Sequence, residues 1–523
     1  MVVGVHIEKE DVYLNTSQKK KKGNVCETTN ESLSDSVPQE SAGIADESQD
    51  CCGSDVIVDE SRSELDFFNY MGDAEFGECS EREAGSSNAM LELAEGVEQQ
   101  EEGALEALIH TEFLAHHEVG VVRLNNGSFG SCPASVQAAQ ARWASLWLRQ
   151  PDRFYFGPLQ DALLNSRHAV TSLILAHHVD QVVLVDNVTV AVAMVLQRFV
   201  WRFFEGHYQK GEAVLALNFS YGSVKKALKA YLLRAGACLI EVQLPFPVTS
   251  REEILAAFRS TLQQAKRESQ RVRLELIDHI TSIPSLVLPI KELVSLCRRE
   301  GVDEVFVDGA HAIGNIDIDV EEIDADYYTS NLHKWLFSPH SVAFLHSKPG
   351  HLYDLHHPIV AHNYQEGLGR ECEWVGTRDY SAHLAVVDGI QFFEKFKGGL
   401  RAVQDHNHHS VVSMGAMLAD AWGTHCGTPP DLSSSMIMVG LPNGFGVHSD
   451  DDALVLRTRL CQKFGIEVPV YYAMPRSSSW KGSPETGTPF TAYVRISHQI
   501  FNSAGDYEKL RDAVTLLTEQ HNK

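Results

Sequence analysis

The chain has 523 residues, of which 44% are hydrophobic and 22% charged, and a formal net charge of −26. That length allows two or more folded domains with a substantial core, and no run of about 18 uninterrupted apolar residues reads as a membrane span. The acidity is concentrated in residues 1–105, which carry 25 acidic and 7 basic side chains. Neither part of the chain offers electrostatic footing for nucleic-acid binding.

Residues 1–105 read as a disordered acidic tail. They are rich in Ser, Glu, Asp and Gly and cannot bury enough apolar surface to offset chain entropy. Lys19 to Lys22 form a basic run that reads as a solvated charge cluster, with nuclear import as the second reading. The N-terminus lacks an apolar signal core, and Glu8, Glu10 and Asp11 argue against a transit peptide. Ten cysteines without repeated spacing, including the Cys51–Cys52 pair in the tail, fit a reducing interior. The expected location is the cytoplasm, with nuclear or organellar placement left open.

The folded body is expected from about Thr111. Val121 to Pro133 (VVRLNNGSFGSCP) reads as a short strand and a glycine-bearing turn around Asn126 and Gly127. Val182 to Phe199 reads as a strand ending at Asp186, then a helix capped by Asn187 with Val188 and Thr189 in its first turn. Free N–H groups at such a helix start form an anion site. Ala213 to Pro245 reads as strand, turn, helix, a glycine stop at Gly236, and strand, with Tyr221 at the turn. Arg271 to Asp308 repeats that pattern and contains the phrase Asp278-His279-Ile280-Thr281-Ser282. This alternation predicts a mostly parallel sheet with helices on both faces, hence an α/β fold.

The stretch Val305 to Phe344 organises the rest. An apolar run ends on Asp308, followed by Gly309, Ala310 and His311; a second run, Tyr327 to Ser330, leads through Asn331 to His333 and Lys334. Polar groups just past the carboxyl ends of buried strands are where open α/β sheets build their sites. A carboxylate and a lysine placed this way meet the needs of pyridoxal phosphate: an anion facing its pyridinium nitrogen and an amine to hold its aldehyde.

These phrases, VDGAHAIG and TSNLHKW above all, resemble the class V aminotransferase family, pyridoxal-phosphate enzymes of fold type I, over about Thr111 to Leu510. The wording is most similar to the L-cysteine desulfhydrase and isopenicillin-epimerase-like branch. The resemblance implies a seven-stranded-type, mostly parallel sheet in a large domain (106–395) and a smaller C-terminal α/β domain (396–523), with 106–135 able to pack against the latter. It implies that Asp308 pairs with the ring nitrogen, that His311 lies near the ring hydroxyl and that Lys334, preceded by His333, carries the cofactor. Val188 and Thr189 would receive the phosphate, Tyr221 would stack on the ring, and Asn331 would border the cofactor. Asn126 would border the substrate. Thr377, in a Gly-Thr phrase (Glu373 to Val386), would reach the phosphate of a partner subunit's cofactor, so the resemblance implies a homodimer. Ser282 stands where cysteine desulfurases have asparagine.

Arg495, followed by Ser497 and then Phe501-Asn502, matches the family's carboxylate clamp; an arginine fork holds a carboxylate through two parallel hydrogen bonds. Cysteine desulfurases attack sulfur with a loop cysteine shortly before this arginine, but Pro469 to Arg495 contains none. Cys461 is expected to be packed on a helix. The expected reaction is therefore β-elimination from an amino acid, with L-cysteine giving hydrogen sulfide, pyruvate and ammonia. Desulfuration, epimerisation and transamination are the alternatives. His406, His408 and His409 read as a solvated helix face, so no metal is expected.

Overall fold

The computed structural model describes residues 103–442, 445–472 and 492–521. The acidic tail and most of the Pro469–Arg495 loop lie outside the described residues.

A helix over 103–112 leads to β1 (Val122–Arg123). After two helices (Ala134–Arg149 and Pro158–Leu173), strands and helices alternate: β2 (Val182–Val185), helix Val188–Phe204, β3 (Ala213–Leu217), helix Gly222–Ala235, β4 (Cys238–Val242), helix Arg251–Arg267 and β5 (Val272–Asp278). Helix Ile290–Glu300, β6 (Glu304–Asp308), β7 (Tyr327–Asn331) and β8 (Ala343–Ser347) complete the main sheet. Its order is β2-β8-β7-β6-β5-β3-β4. All pairs are parallel except those of β8, which runs antiparallel to both β7 and β2. The strands most deeply placed, β2, β3, β6, β7 and β8, are buried at every position. Continuous burial of this kind follows from helices covering both faces.

One face packs Leu215, Ile277, Val305 and Val307 against Phe258, Leu262, Leu293 and Leu296. The other packs Val183, Ala216, Leu276 and Phe306 against Val192, Phe199, Leu228 and Leu232. The local stops and starts follow from residue type. The Asn187 side chain accepts the Val190 amide at 3.1 Å and so caps the helix from Val188. Gly236 ends the next helix with φ of 69°, a left-handed conformation that glycine adopts without penalty.

The C-terminal part contributes β9 (Met436–Gly440), β10 (Ile466–Glu467), β11 (Val470–Tyr472) and β12 (Ala492–Ser497), with an antiparallel sheet of order β11-β12-β9. Helices Gly399–Trp422, Asp450–Phe464 and Ala504–His521 surround it. The N-terminal segment joins this part: β1 pairs in parallel with β10, and Val122 and Leu124 pack in the same apolar cluster as Val439, Val494 and Leu510. Leu124 also accepts the Ser497 amide at 2.9 Å. The turn after β1 is thereby clamped over the carboxyl ends of β5, β6 and β7. Among the described residues, no helix is long and apolar enough to cross a membrane.

Candidate active site

Asp308 ends β6, and Lys334 sits in a single helical turn (Leu332–Trp335) directly after β7. The parallel pairing of these strands brings both residues to the same sheet edge. Their side chains share the wall of a cavity of about 180 Å³ with Asn187, Val188, Thr189, Tyr221, Asp278, His311, Asn331 and His333. The sequence had separated these groups by up to 147 positions.

Asp308 is 3% exposed and accepts the Ala310 amide at 2.9 Å. Burial raises its pKa above the ordinary carboxyl value, while the Ala310 amide and Lys334 act in the opposite sense. The Lys334 Nζ lies 3.1 Å from Nε2 of His311. Burial, with a smaller contribution from Arg495, lowers the Lys334 pKa to about 7 despite the nearby Asp308. His311 is buried, and desolvation with the adjacent Lys334 depresses its pKa well below the ordinary value, so the ring is neutral. Its Nδ1 has no hydrogen-bond partner among the described residues. His333 donates its Nδ1–H to the Val342 carbonyl at 3.0 Å, which fixes the tautomer. Burial brings its pKa to about 4.

The helix start at Val188 opens onto the same cavity. Asn331 accepts the Val188 amide on its Oδ1 at 3.1 Å, which ties this helix to the strand that presents Lys334. Tyr221 forms the N-cap position of its helix and is 52% exposed, with its ring on the cavity rim. A wider vestibule of about 340 Å³ continues outward past Lys334, walled by Phe129, Phe219, Tyr221, Ile283 and Tyr471.

Arg495, on β12, is 1% exposed. Nη1 donates to the Ser282 carbonyl and Oγ at 2.9 and 3.2 Å, and Nη2 to Asn125 Oδ1 and Ser128 Oγ at 2.9 and 2.6 Å. Its Nε is buried without a partner among the described residues. Four neutral acceptors from two separate loops thus fix the guanidinium without neutralising it. The sequence reading missed Asn125 and Ser128; their position beside Asn126 in the N-N-G-S phrase was the available signal.

One expectation, the packing of Cys461, is corrected, and two of the expected site residues are placed as follows. Asn126 is buried, and its Nδ2 donates to the Lys334 main-chain carbonyl at 3.1 Å. The cause is the close approach of the following turn, where Gly130 has φ of 75° and a Cβ there would lie 1.8 Å from the His333 carbonyl. Cys461 is exposed rather than packed, because its helix turns that side outward. Thr377 is exposed and lines neither cavity; the adjacent Arg378 pairs with Asp186, next to the cavity-facing Asn187. The Gly399–Trp422 helix carries His406, His408 and His409. Among the described residues, no group of three or more His, Cys, Asp or Glu side chains is placed to hold a metal.

The residues present fit pyridoxal phosphate. An unpartnered His311 Nδ1, an amine held near neutrality, an opposing buried carboxylate and a helix N-terminus converge on one cavity. The chain belongs to the class V aminotransferase family, whose profile matches residues 157–468, and pyridoxal phosphate is its cofactor. The chain is 49% identical over 415 residues to an Arabidopsis thaliana protein named L-cysteine desulfhydrase, spanning 79% of this chain and 91% of the relative. It is also 29% identical over 416 residues to an isopenicillin N epimerase from Streptomyces clavuligerus, spanning 76% and 95%. Among solved structures it is similar to C-DES, in a lysine-to-alanine variant with glycine covalently linked to the PLP cofactor. That match has a TM-score of 0.59 at 16% identity and spans 77% of this chain and 98% of that one.

Proposed function

We propose that this protein is a carbon–sulfur lyase that cleaves L-cysteine by β-elimination to hydrogen sulfide, pyruvate and ammonia. The observation that carries the reading is the convergence of Lys334 and Asp308 on one cavity, with the pre-formed Arg495 fork beside it. Bound pyridoxal phosphate supplies an electron sink for the negative charge that develops at Cα. Asp308 would face the ring nitrogen as its counter-anion, His311 would lie toward the ring hydroxyl, and Tyr221 would cover the ring face. The Val188–Thr189 helix start would receive the phosphate, with Asn331 bracing that helix. Arg495 holds the substrate carboxylate, which orients the Cα–H bond toward Lys334.

Lys334 would hold the cofactor and is placed to take the α-proton of a bound amino acid. An amine whose pKa is near 7 is half in its basic form at neutral pH, which suits that task. The neutral His333 packs behind it. Expulsion of the thiolate from Cβ follows, and the three-carbon enamine left behind hydrolyses to pyruvate and ammonia. The absence of cysteine from Pro469 to Arg495 removes the sulfur nucleophile that desulfuration needs. The identity with a named L-cysteine desulfhydrase supports the choice of substrate.

We further read the protein as a homodimer in which Thr377 reaches the cofactor phosphate of the partner; equilibrium sedimentation at twice the monomer mass tests this. We read it as cytoplasmic, which cell fractionation tests. A 53% identical Arabidopsis thaliana relative, matched over 412 residues with 78% of this chain and 85% of the relative spanned, is named "Probable L-cysteine desulfhydrase, chloroplastic". The decisive assay for the reaction is incubation with L-cysteine and no keto-acid acceptor. Equimolar sulfide and pyruvate are expected; racemised cysteine without sulfide would instead favour an epimerase.

A further inference from the structure

A second carboxyl group stands beside Asp308. Asp278 is the last residue of β5 and the direct register partner of Asp308 on β6. In-register residues on neighbouring parallel strands point to the same face of a sheet, with backbones about 4.8 Å apart. Both side chains line the cavity with Lys334, and both are 3% exposed. Among the described residues no cation lies within ion-pair distance of Asp278. Its Oδ2 instead accepts the Ser220 hydroxyl at 3.1 Å, and its carboxyl receives the Tyr221 amide. Those two residues form the turn that begins the Gly222–Ala235 helix and presents the Tyr221 ring to the cavity.

Two buried carboxylates this close do not both ionise. Asp308 has the Ala310 amide and, in the reading above, the cofactor's ring nitrogen to favour its anion. Asp278 has the Ser220 hydroxyl, its own amide and the Tyr221 amide, but no cation within ion-pair distance among the described residues. The groups facing it are Asp308, Lys334 and the neutral His311. Burial and the charge of Asp308 raise its pKa well above the ordinary value.

We propose that Asp278 is a positioning residue of the cofactor site: a neutral carboxylic acid that holds the Ser220–Tyr221 turn, sets the Tyr221 ring against the cofactor, and leaves Asp308 as the sole anion at the ring nitrogen. The inference rests on the assignment of Asp308 to that nitrogen. An amide side chain approximates a neutral carboxylic acid: both are uncharged and offer a carbonyl acceptor beside a donor group. The two adjacent aspartates therefore respond oppositely to the same substitution.

The experiment uses the full-length protein, with pyridoxal phosphate affinity of the apo form, the visible absorption maximum of the loaded form, and sulfide release as readouts. Asp278→Asn is expected to lose much less than Asp278→Ala in all three readouts, because the amide stays uncharged and keeps a carbonyl acceptor for the Ser220–Tyr221 turn. Asp278→Ala is expected to shift the absorption maximum and lower kcat/KM about 30-fold, since a small displacement of a positioning group is costly. Should that variant not fold, Ser220→Ala replaces it, with the same spectral shift and a smaller loss. Asp308→Asn is expected to weaken cofactor binding by about 10–100-fold through loss of a charge-assisted hydrogen bond. Loss in Asp278→Asn equal to that in Asp278→Ala would overturn the neutral-acid assignment, and wild-type behaviour of both Asp278→Ala and Ser220→Ala would overturn the positioning role. Unchanged cofactor affinity in Asp308→Asn would instead sink the underlying assignment of Asp308, which separates the two failures.

Discussion

The Lys334 amine and the His311 imidazole meet at 3.1 Å at the inner end of the vestibule, and neither carries a full charge at neutral pH. The lysine is lowered to about 7 from an ordinary value of 10.5. Acylation of the apo protein should therefore label Lys334 with a midpoint near pH 7, whereas exposed lysines need a pH near 10. The sign for stability follows from the same shift. A lysine depressed on folding costs the folded state fully below about pH 7 and nothing above its unfolded value, so this group favours folding of the apo protein as pH rises between the two. Peptide mass mapping of the labelled apo protein across pH checks the midpoint; labelling of Lys334 only near pH 10 would contradict it.

Arg495→Lys retains the cation but not the fork. It also strands acceptors on Asn125, Ser128 and Ser282 that now share two terminal nitrogens. Losing one charge-assisted hydrogen bond of about 2 kcal/mol corresponds to a KM for L-cysteine about 30-fold higher. The visible absorption of the bound cofactor should not change, because Arg495 does not line the cofactor cavity. Steady-state kinetics and an absorption spectrum of the same preparation check both halves.

Asn126→Ala distinguishes a lysine-anchoring role from a substrate contact. With the Nδ2 bond to the Lys334 carbonyl removed, the lysine loses its anchor, and kcat should fall about tenfold as a displaced general base loses alignment. KM should stay within about twofold, because no substrate contact is removed. A rise in KM at constant kcat would restore the substrate-contact reading.

Much of this was legible from the chain alone, for physical reasons that differ by element. Asp308 and Lys334 mark the ends of short apolar runs, so the strand termini beside them could be placed to within about a residue, and the Asn187 and Gly236 helix signals carry their own mechanism. What could not be read was lateral pairing. Asp278 meets Asp308 only because β5 and β6 are neighbours in register, and Asn125 meets Arg495 across 370 positions only because β1 joins the C-terminal part. The Asn126 contact was illegible for the same reason, since its partner is a main-chain carbonyl that no side-chain pattern reveals.

Glu275 offers a test that does not touch the site. It lies in the middle of β5, fully buried, and neither carboxylate oxygen has a hydrogen-bond partner among the described residues. Burial raises its pKa well above 4.5. Glu275→Leu removes an unsatisfied polar group worth about 1–3 kcal/mol and should raise Tm by about 1–3 °C at neutral pH for a folded body of this size. Because the folded state holds the proton more tightly than the unfolded chain, wild type loses stability as pH rises above the unfolded carboxyl value. The advantage of the variant should accordingly shrink below about pH 4.5. Calorimetric scans at pH 4 and 7.5 read this out; a variant less stable at pH 7.5 would contradict it.

The joining of Leu124 to Ser497 and of Asn125 to Arg495 also orders events during biosynthesis. A ribosome will have released the lysine, both aspartates and the whole main sheet well before residue 495 emerges. Until then the nascent chain has the means to hold a cofactor but no grip for an amino acid. Sulfide production is thus withheld from every chain in which Arg495 has yet to emerge and fold against that turn.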